Sequence, residues 1–208
     1  MPLDPTWVPF CRELWSSAEQ QQNYLPGVPE GSDLCITPVS APENHYVRIK
    51  ADNRLDADGT LRGTFTLTAE GQSDSNIRRI FTTGFRSEWK NTMESQLLAI
   101  SPKAKLLSVD YGKNPKDYQA APIKITFRYE IPDYALKGEK EMFFRPLVMN
   151  NLYNQVRSYL RIDTSLKERK YGFKDGCSRL VELDETIQLP AGYKLANADK
   201  NETMQGTG

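Results

Sequence analysis

Residues 123–131, Ile-Lys-Ile-Thr-Phe-Arg-Tyr-Glu-Ile, alternate apolar and polar side chains without a break. A strand sends successive side chains to opposite faces, whereas a helix would scatter these apolar residues around its circumference. The segment therefore predicts a strand with one dry face and one wet face. Two further stretches share the period. Val47, Ile49 and Ala51 alternate with Arg48 and Lys50, and Leu61, Phe65, Leu67 and Ala69 alternate with Thr64, Thr66 and Thr68. Between them Asp56-Ala57-Asp58-Gly59 combines carboxylates that bond local backbone with a glycine free to take positive φ, so the pair predicts a β-hairpin.

The period then changes. Ser73 or Asp74 is placed to cap a helix whose Ile77, Ile80 and Phe81 share a face, and Gly84 ends it. A second helix is expected over about Arg86 to Ile100, because Phe85, Trp89, Met93 and Leu97 recur every four residues with Leu98 beside them; Ser101-Pro102 stops it. Strands resume at Leu107, Val109 and Tyr111, continue through 123–131, and follow the charged turn Lys137–Lys140 into Met142-Phe143-Phe144. Leu152, Val156 and Leu160 fit a short helix or a loop equally well. Val181, Leu183, Ile187 and Leu189 predict a last strand, with a partner starting at Gly192-Tyr193-Lys194-Leu195. The expected class is α+β, mainly β: an antiparallel sheet or sandwich with a pair of helices inserted between strands.

Composition narrows the function classes. With 27 basic and 27 acidic residues the formal charge is zero, so a nucleic-acid partner, which selects for a basic excess, is not expected. No run approaches the roughly 18 consecutive apolar residues of a membrane span. The three cysteines, Cys11, Cys35 and Cys177, lack zinc-ligand spacing, and there is no glycine-rich phosphate loop, so no metal or cofactor is expected. Asp56, Asp58 and Gly59 look like a calcium loop only until it is counted out. With Gly59 at the sixth position, Arg54 and Phe65 fall where oxygen ligands are required.

The first forty residues carry more specific strings. Leu3-Asp4-Pro5-Thr6-Trp7 leads into Glu19-Gln20-Gln21-Gln22-Asn23-Tyr24-Leu25-Pro26-Gly27-Val28-Pro29-Glu30-Gly31 and Thr37-Pro38-Val39-Ser40, and near the other end stands Leu189-Pro190-Ala191-Gly192-Tyr193. Together these resemble the exit from a transglutaminase-like cysteine-protease fold and the β-rich C-terminal domain of unknown function that follows it in secreted bacterial proteins. The resemblance implies the tail of that first domain plus a linker over residues 1–43 and the β-rich domain over 44–208, with further strands expected beyond its end. It also implies that Asp4 is the third member of a Cys-His-Asp triad whose Cys and His lie upstream. The chain would then be a non-catalytic interaction or substrate-positioning module, periplasmic or at the cell surface, with the upstream domain of the same protein as its partner.

Two other readings rest on the residues themselves. A self-contained cysteine hydrolase would need His45, the one histidine, as base for Cys35 or Cys177, because a thiol nucleophile requires a base within hydrogen-bond reach. His45 follows Glu43 and Asn44, which predicts a surface or edge position. A glycan- or protein-binding domain would use Tyr171 and Phe173 among Lys167, Arg169, Lys170 and Lys174, although Glu168 and Asp175 interrupt that cluster.

Overall fold

The computed structural model describes residues 19–148, 165, 167, 168, 170, 171, 178–196 and 203. Asp4, Cys11, Cys177, Phe173 and the 152–160 segment lie outside the described residues. Asn23–Tyr24 (β1) and Cys35–Ile36 (β2) form a two-residue antiparallel ladder. The proline- and glycine-rich path between them is largely exposed, as its punctuation predicts.

The hairpin forms as expected. Val47–Leu55 (β3) and Leu61–Ala69 (β4) pair antiparallel from Val47 with Ala69 to Leu55 with Leu61. In the turn the Gly59 amide donates to Asp56 O at 2.9 Å, Thr60 N donates to Asp58 Oδ1 at 2.9 Å, and Gly59 has φ +88°. That conformation is strained for a residue with a Cβ.

Helix α1, Gly71–Thr83, starts earlier than its own side chains suggest. Glu70 is the N-cap residue, and the expected cap residues are used elsewhere. Ser73 Oγ donates to His45 O at 2.9 Å, and Asp74 turns inward. Helix α2, Trp89–Ile100, follows one 3-10 turn at Arg86–Glu88 and ends at Ser101. Trp89, Met93 and Leu97 are buried as the four-residue spacing predicts, but Phe85 is 77 % exposed and Leu98 also faces solvent. Phe85 precedes the first turn and so falls off the α-helical stripe, and Ile100 takes the inward position instead.

Lys105–Asp110 (β5) and Ile123–Ile131 (β6) complete one edge of the sheet, Leu136–Lys137 (β7) and Met142–Phe143 (β8) make a small separate ladder, and Val181–Gln188 (β9) returns to the main sheet. The strand order is β5-β6-β4-β3-β9. All neighbours run antiparallel except β9, which lies parallel to β3 with Val47 opposite Val181 and Arg54 opposite Gln188. The sheet is therefore mixed rather than wholly antiparallel, and residues 192–195 do not form the partner strand expected there. No helix among the described residues is long and apolar enough to cross a membrane.

The alternation sorts the two faces of the sheet. Ile49, Leu61, Phe65, Phe127 and Ile131 point to the buried side, where burial of each such side chain contributes roughly 1.5–3 kcal/mol. Phe65 and Phe127 stack at 4.4 Å between ring centroids. Helix α1 lies against β4 and β6, and α2 lies against β5. Phe81, Trp89 and Tyr111 meet edge to face at 5.1–5.7 Å and join both helices to the chain just after β5.

One buried ion pair closes this half. Asp74, 0 % exposed, receives Arg78 Nε at 2.5 Å and accepts Ile123 N at 2.6 Å. Arg78, 4 % exposed, donates to the carbonyls of Pro115, Asp117 and Ala121, so helix α1 fixes the loop that feeds β6. Asp74→Ala leaves that guanidinium buried without its counter-charge. Urea denaturation at constant m should show a loss of about 3–5 kcal/mol, and a loss below about 1 kcal/mol would contradict a dry, closed pair.

Candidate functional site

Among the described residues helices α1 and α2 lie against β4, β5 and β6, and the other end of the sheet is β3 and β9. At that end Leu147 and Val148 are fully buried, with their amides bonded to Glu185 of β9, while Val181, Leu183 and Ile187 are only half-buried. Beside them opens a groove of about 780 Å³. Leu55 and Ile187 of the sheet form one side of it, Met142–Phe144 another, and Leu189 to Ala196 the third. Phe143 is 61 % and Leu195 60 % exposed, so the groove presents apolar side chains to solvent. Exposed apolar surface collected in a concavity favours occupation by an apolar partner, since each methylene removed from water contributes about 0.8 kcal/mol.

A row of polar groups runs across the sheet to this groove. Asn53 stands at a core-facing position of β3 and is almost fully buried. Its Oδ1 accepts the Tyr129 hydroxyl from β6, and its Nδ2 donates to Glu185 Oε1 of β9 at 2.8 Å. Gly63 lies between Asn53 and Tyr129 in the ladder. A Cβ there would sit 2.0 Å from Asn53 Oδ1, so a glycine is what lets the two side chains meet. The Glu185 carboxylate, which borders the groove, also accepts Leu147 N at 3.1 Å and Val148 N at 2.8 Å. Burial, then the Glu185 charge, pushes the Tyr129 phenol well above its ordinary range, so it stays a donor.

The other face of the sheet is polar. Thr64, Thr66 and Thr126 form its middle, with Thr66 and Thr126 hydroxyls 3.0 Å apart. Around them run Arg48 to Glu182, Arg54 to Asp56 at 2.9 Å, Arg62 to both Asp56 and Glu130, and Lys105 to Glu130 at 3.1 Å. Lys105 and then Arg62 hold the Glu130 carboxyl below its usual range. A shallow depression of about 540 Å³ on this face is bordered by Asp52, Arg62, Thr64, Arg128 and Thr186.

His45 is 0 % exposed, not at the surface or an edge. It closes the 3-10 turn Pro42–His45, and its Nδ1 accepts the Gln72 amide at 3.1 Å. The imidazole thus serves one of the open amides in the first turn of α1, a role a Ser or Asp cap side chain usually fills. Gly71, at φ +57°, lets the ring approach, since a Cβ there would lie 2.5 Å from Nδ1. Sequence spacing could not reveal a cap supplied from 27 residues away. Cys35 is a free, half-buried thiol on β2 whose Sγ donates to Asp33 O at 3.7 Å. Tyr171 is exposed, with Lys170 Nζ 5.6 Å from its ring centre. Asp56 and Asp58 serve the hairpin turn and its ion pairs, and no cluster of three or more His, Cys, Asp or Glu among the described residues is placed to hold a metal ion.

Comparison with protein-family models, curated proteins and solved structures finds no match.

Burial, then the charge of Arg179, lowers the His45 pKa from 6.5 to about 4. The unfolded chain therefore binds a proton that the folded chain refuses between those values, and stability falls as pH drops from 6.5 toward 4. The full window corresponds to about 3 kcal/mol. Asn carries an amide oxygen able to accept the Gln72 N–H but does not titrate. Chemical denaturation from pH 7 to pH 4 should be measurably flatter for His45→Asn than for wild type, and parallel curves would contradict the assignment.

Proposed function

We propose that the chain is a non-catalytic interaction or substrate-positioning module of a secreted transglutaminase-like protein, working outside the cytoplasm beside a domain that carries the catalytic Cys and His. The observation that carries the binding part of this reading is the groove next to β9, with Phe143 and Leu195 held out in solvent at its wall. A concavity of this size falls within the volume range of ligand-binding clefts. The parentage rests on the strings from Leu3 to Ser40 and on Leu189–Tyr193. Asp4 would be the orphan aspartate of the triad, orienting a histidine that another part of the protein provides.

The bonding of His45 supports a non-catalytic role. A general base needs its accepting nitrogen on the thiol, and Nδ1 of His45 already holds the first turn of α1. Burial and Arg179 lower its pKa, whereas a thiolate partner would raise it. In the hydrolase alternative His45 would serve Cys35 or Cys177, and the two readings separate on the native chain.

Alkylation of Cys11, Cys35 and Cys177 with iodoacetamide can be followed site by site with peptide mass spectrometry across pH 5–9 in wild type and His45→Asn. The module reading predicts that no cysteine depends on His45 for its rate. A cysteine that reacts rapidly near about pH 6 in wild type and slows more than about tenfold in His45→Asn would overturn it.

A further inference from the structure

A five-stranded open sheet has two edges, and here they differ. The β5 edge is six residues long and its register slips between Leu106 and Ser108, a bulge of the kind that blocks further pairing. The β9 edge is eight residues long and regular. Val47 N donates to Leu180 O at 2.8 Å, which in a parallel ladder turns the backbone of Glu182, Asp184 and Thr186 toward β3. The amides and carbonyls of Val181, Leu183, Glu185 and Ile187 point outward, and no described strand pairs with them.

The two sides of this edge differ in chemistry. On the core-facing side, next to Glu185 and Ile187, lies the apolar groove. On the open side stand Glu182 and Asp184, and β9 carries no basic residue. Directly across the ladder, β3 answers that pattern, placing Arg48 and Lys50 opposite Glu182 and Asp184 while Val47, Ile49 and Ala51 go to the core. A strand added on the outer side meets the same two surfaces. Cross-strand pairs of opposite charge stabilise and like charges opposite each other destabilise. A second copy of β9 is disfavoured for that reason, because it brings carboxylates to carboxylates.

Resting on the module reading above, we propose that β9 docks an extended segment of a partner polypeptide as a sixth strand, one whose apolar residues alternate with Lys or Arg. Its backbone would pair with the outward amides and carbonyls of β9, its apolar side chains would enter the groove beside Phe143 and Leu195, and its cations would face Glu182 and Asp184. Main-chain pairing supplies affinity in this mode of recognition, and the alternate side chains supply selectivity.

The test uses the full chain and three fluorescein-labelled peptides: Val-Lys-Val-Lys-Ile-Lys-Val, its Glu-for-Lys counterpart, and a scramble with the lysines in one block. Fluorescence polarisation should give saturable binding of the alternating basic peptide alone. Phe143→Ser with Leu195→Ser, both exposed in the free chain, should weaken it by about tenfold or more through lost apolar contact. Asp184→Lys, also exposed, should transfer the preference to the acidic peptide. No saturable binding at millimolar peptide, equal binding of alternating and scrambled peptides, or indifference to both variants overturns the proposal. Unreactive thiols together with no peptide binding would remove this docking mode and leave the module reading in place, whereas a thiol activated by His45 removes that reading itself.

Discussion

Two halves of the sheet meet on the amide of Asn53. On one side Tyr129 brings β6, and with it the helices that cover β4 to β6; on the other Glu185 brings β9, and with it the amides of Leu147 and Val148. A buried amide with both ends bonded costs little, but one left open costs about 1–3 kcal/mol. The row therefore fixes the register of β9 against β3 more sharply than alternation of apolar residues does. It also explains Gly63, whose missing Cβ is the space through which Tyr129 and Asn53 touch.

That arrangement makes the covering of the sheet uneven. Helices α1 and α2 are fastened to their half by the Phe81, Trp89 and Tyr111 rings and by the Asp74–Arg78 pair. Toward β9 the described chain that meets the sheet is Leu147 and Val148, through Glu185, and the groove opens beside Ile187. A polar row with its last member, Glu185, at the groove wall ties that opening to the most constrained interior of the domain. A site built this way keeps its shape before a partner arrives, which lowers the ordering cost of binding.

Much of this was legible in the chain because it depended on local periodicity. Period two at 47–51, 61–69, 123–131 and 181–189 predicted β3, β4, β6 and β9, and four-residue spacing predicted the buried stripe of α2. What was not legible depended on residues far apart in sequence. His45 acts as a helix cap for Gln72, Asp74 spends its carboxylate on Arg78 and the Ile123 amide, and β9 lies parallel to β3 with Glu185 and Glu182 bonded to Asn53 and Arg48. Asn53 itself reads as a break in an apolar alternation, and nothing local says that Tyr129 and Glu185 await it. The groove is a product of the same long-range packing, so its lining could not be assembled from motifs.

Docking at β9 requires that this edge strand be paired on one side only. Residue-resolved amide exchange on the free chain reads this directly, because a backbone amide exchanges slowly only while it is bonded or buried from water. Glu182, Asp184, Thr186 and Gln188 should be protected, and Val181, Leu183, Glu185 and Ile187 should exchange fast, in strict alternation. Uniform protection along 181–188 would mean that the outer side of β9 is already occupied, and the groove would then be part of the domain's interior rather than a place for a partner.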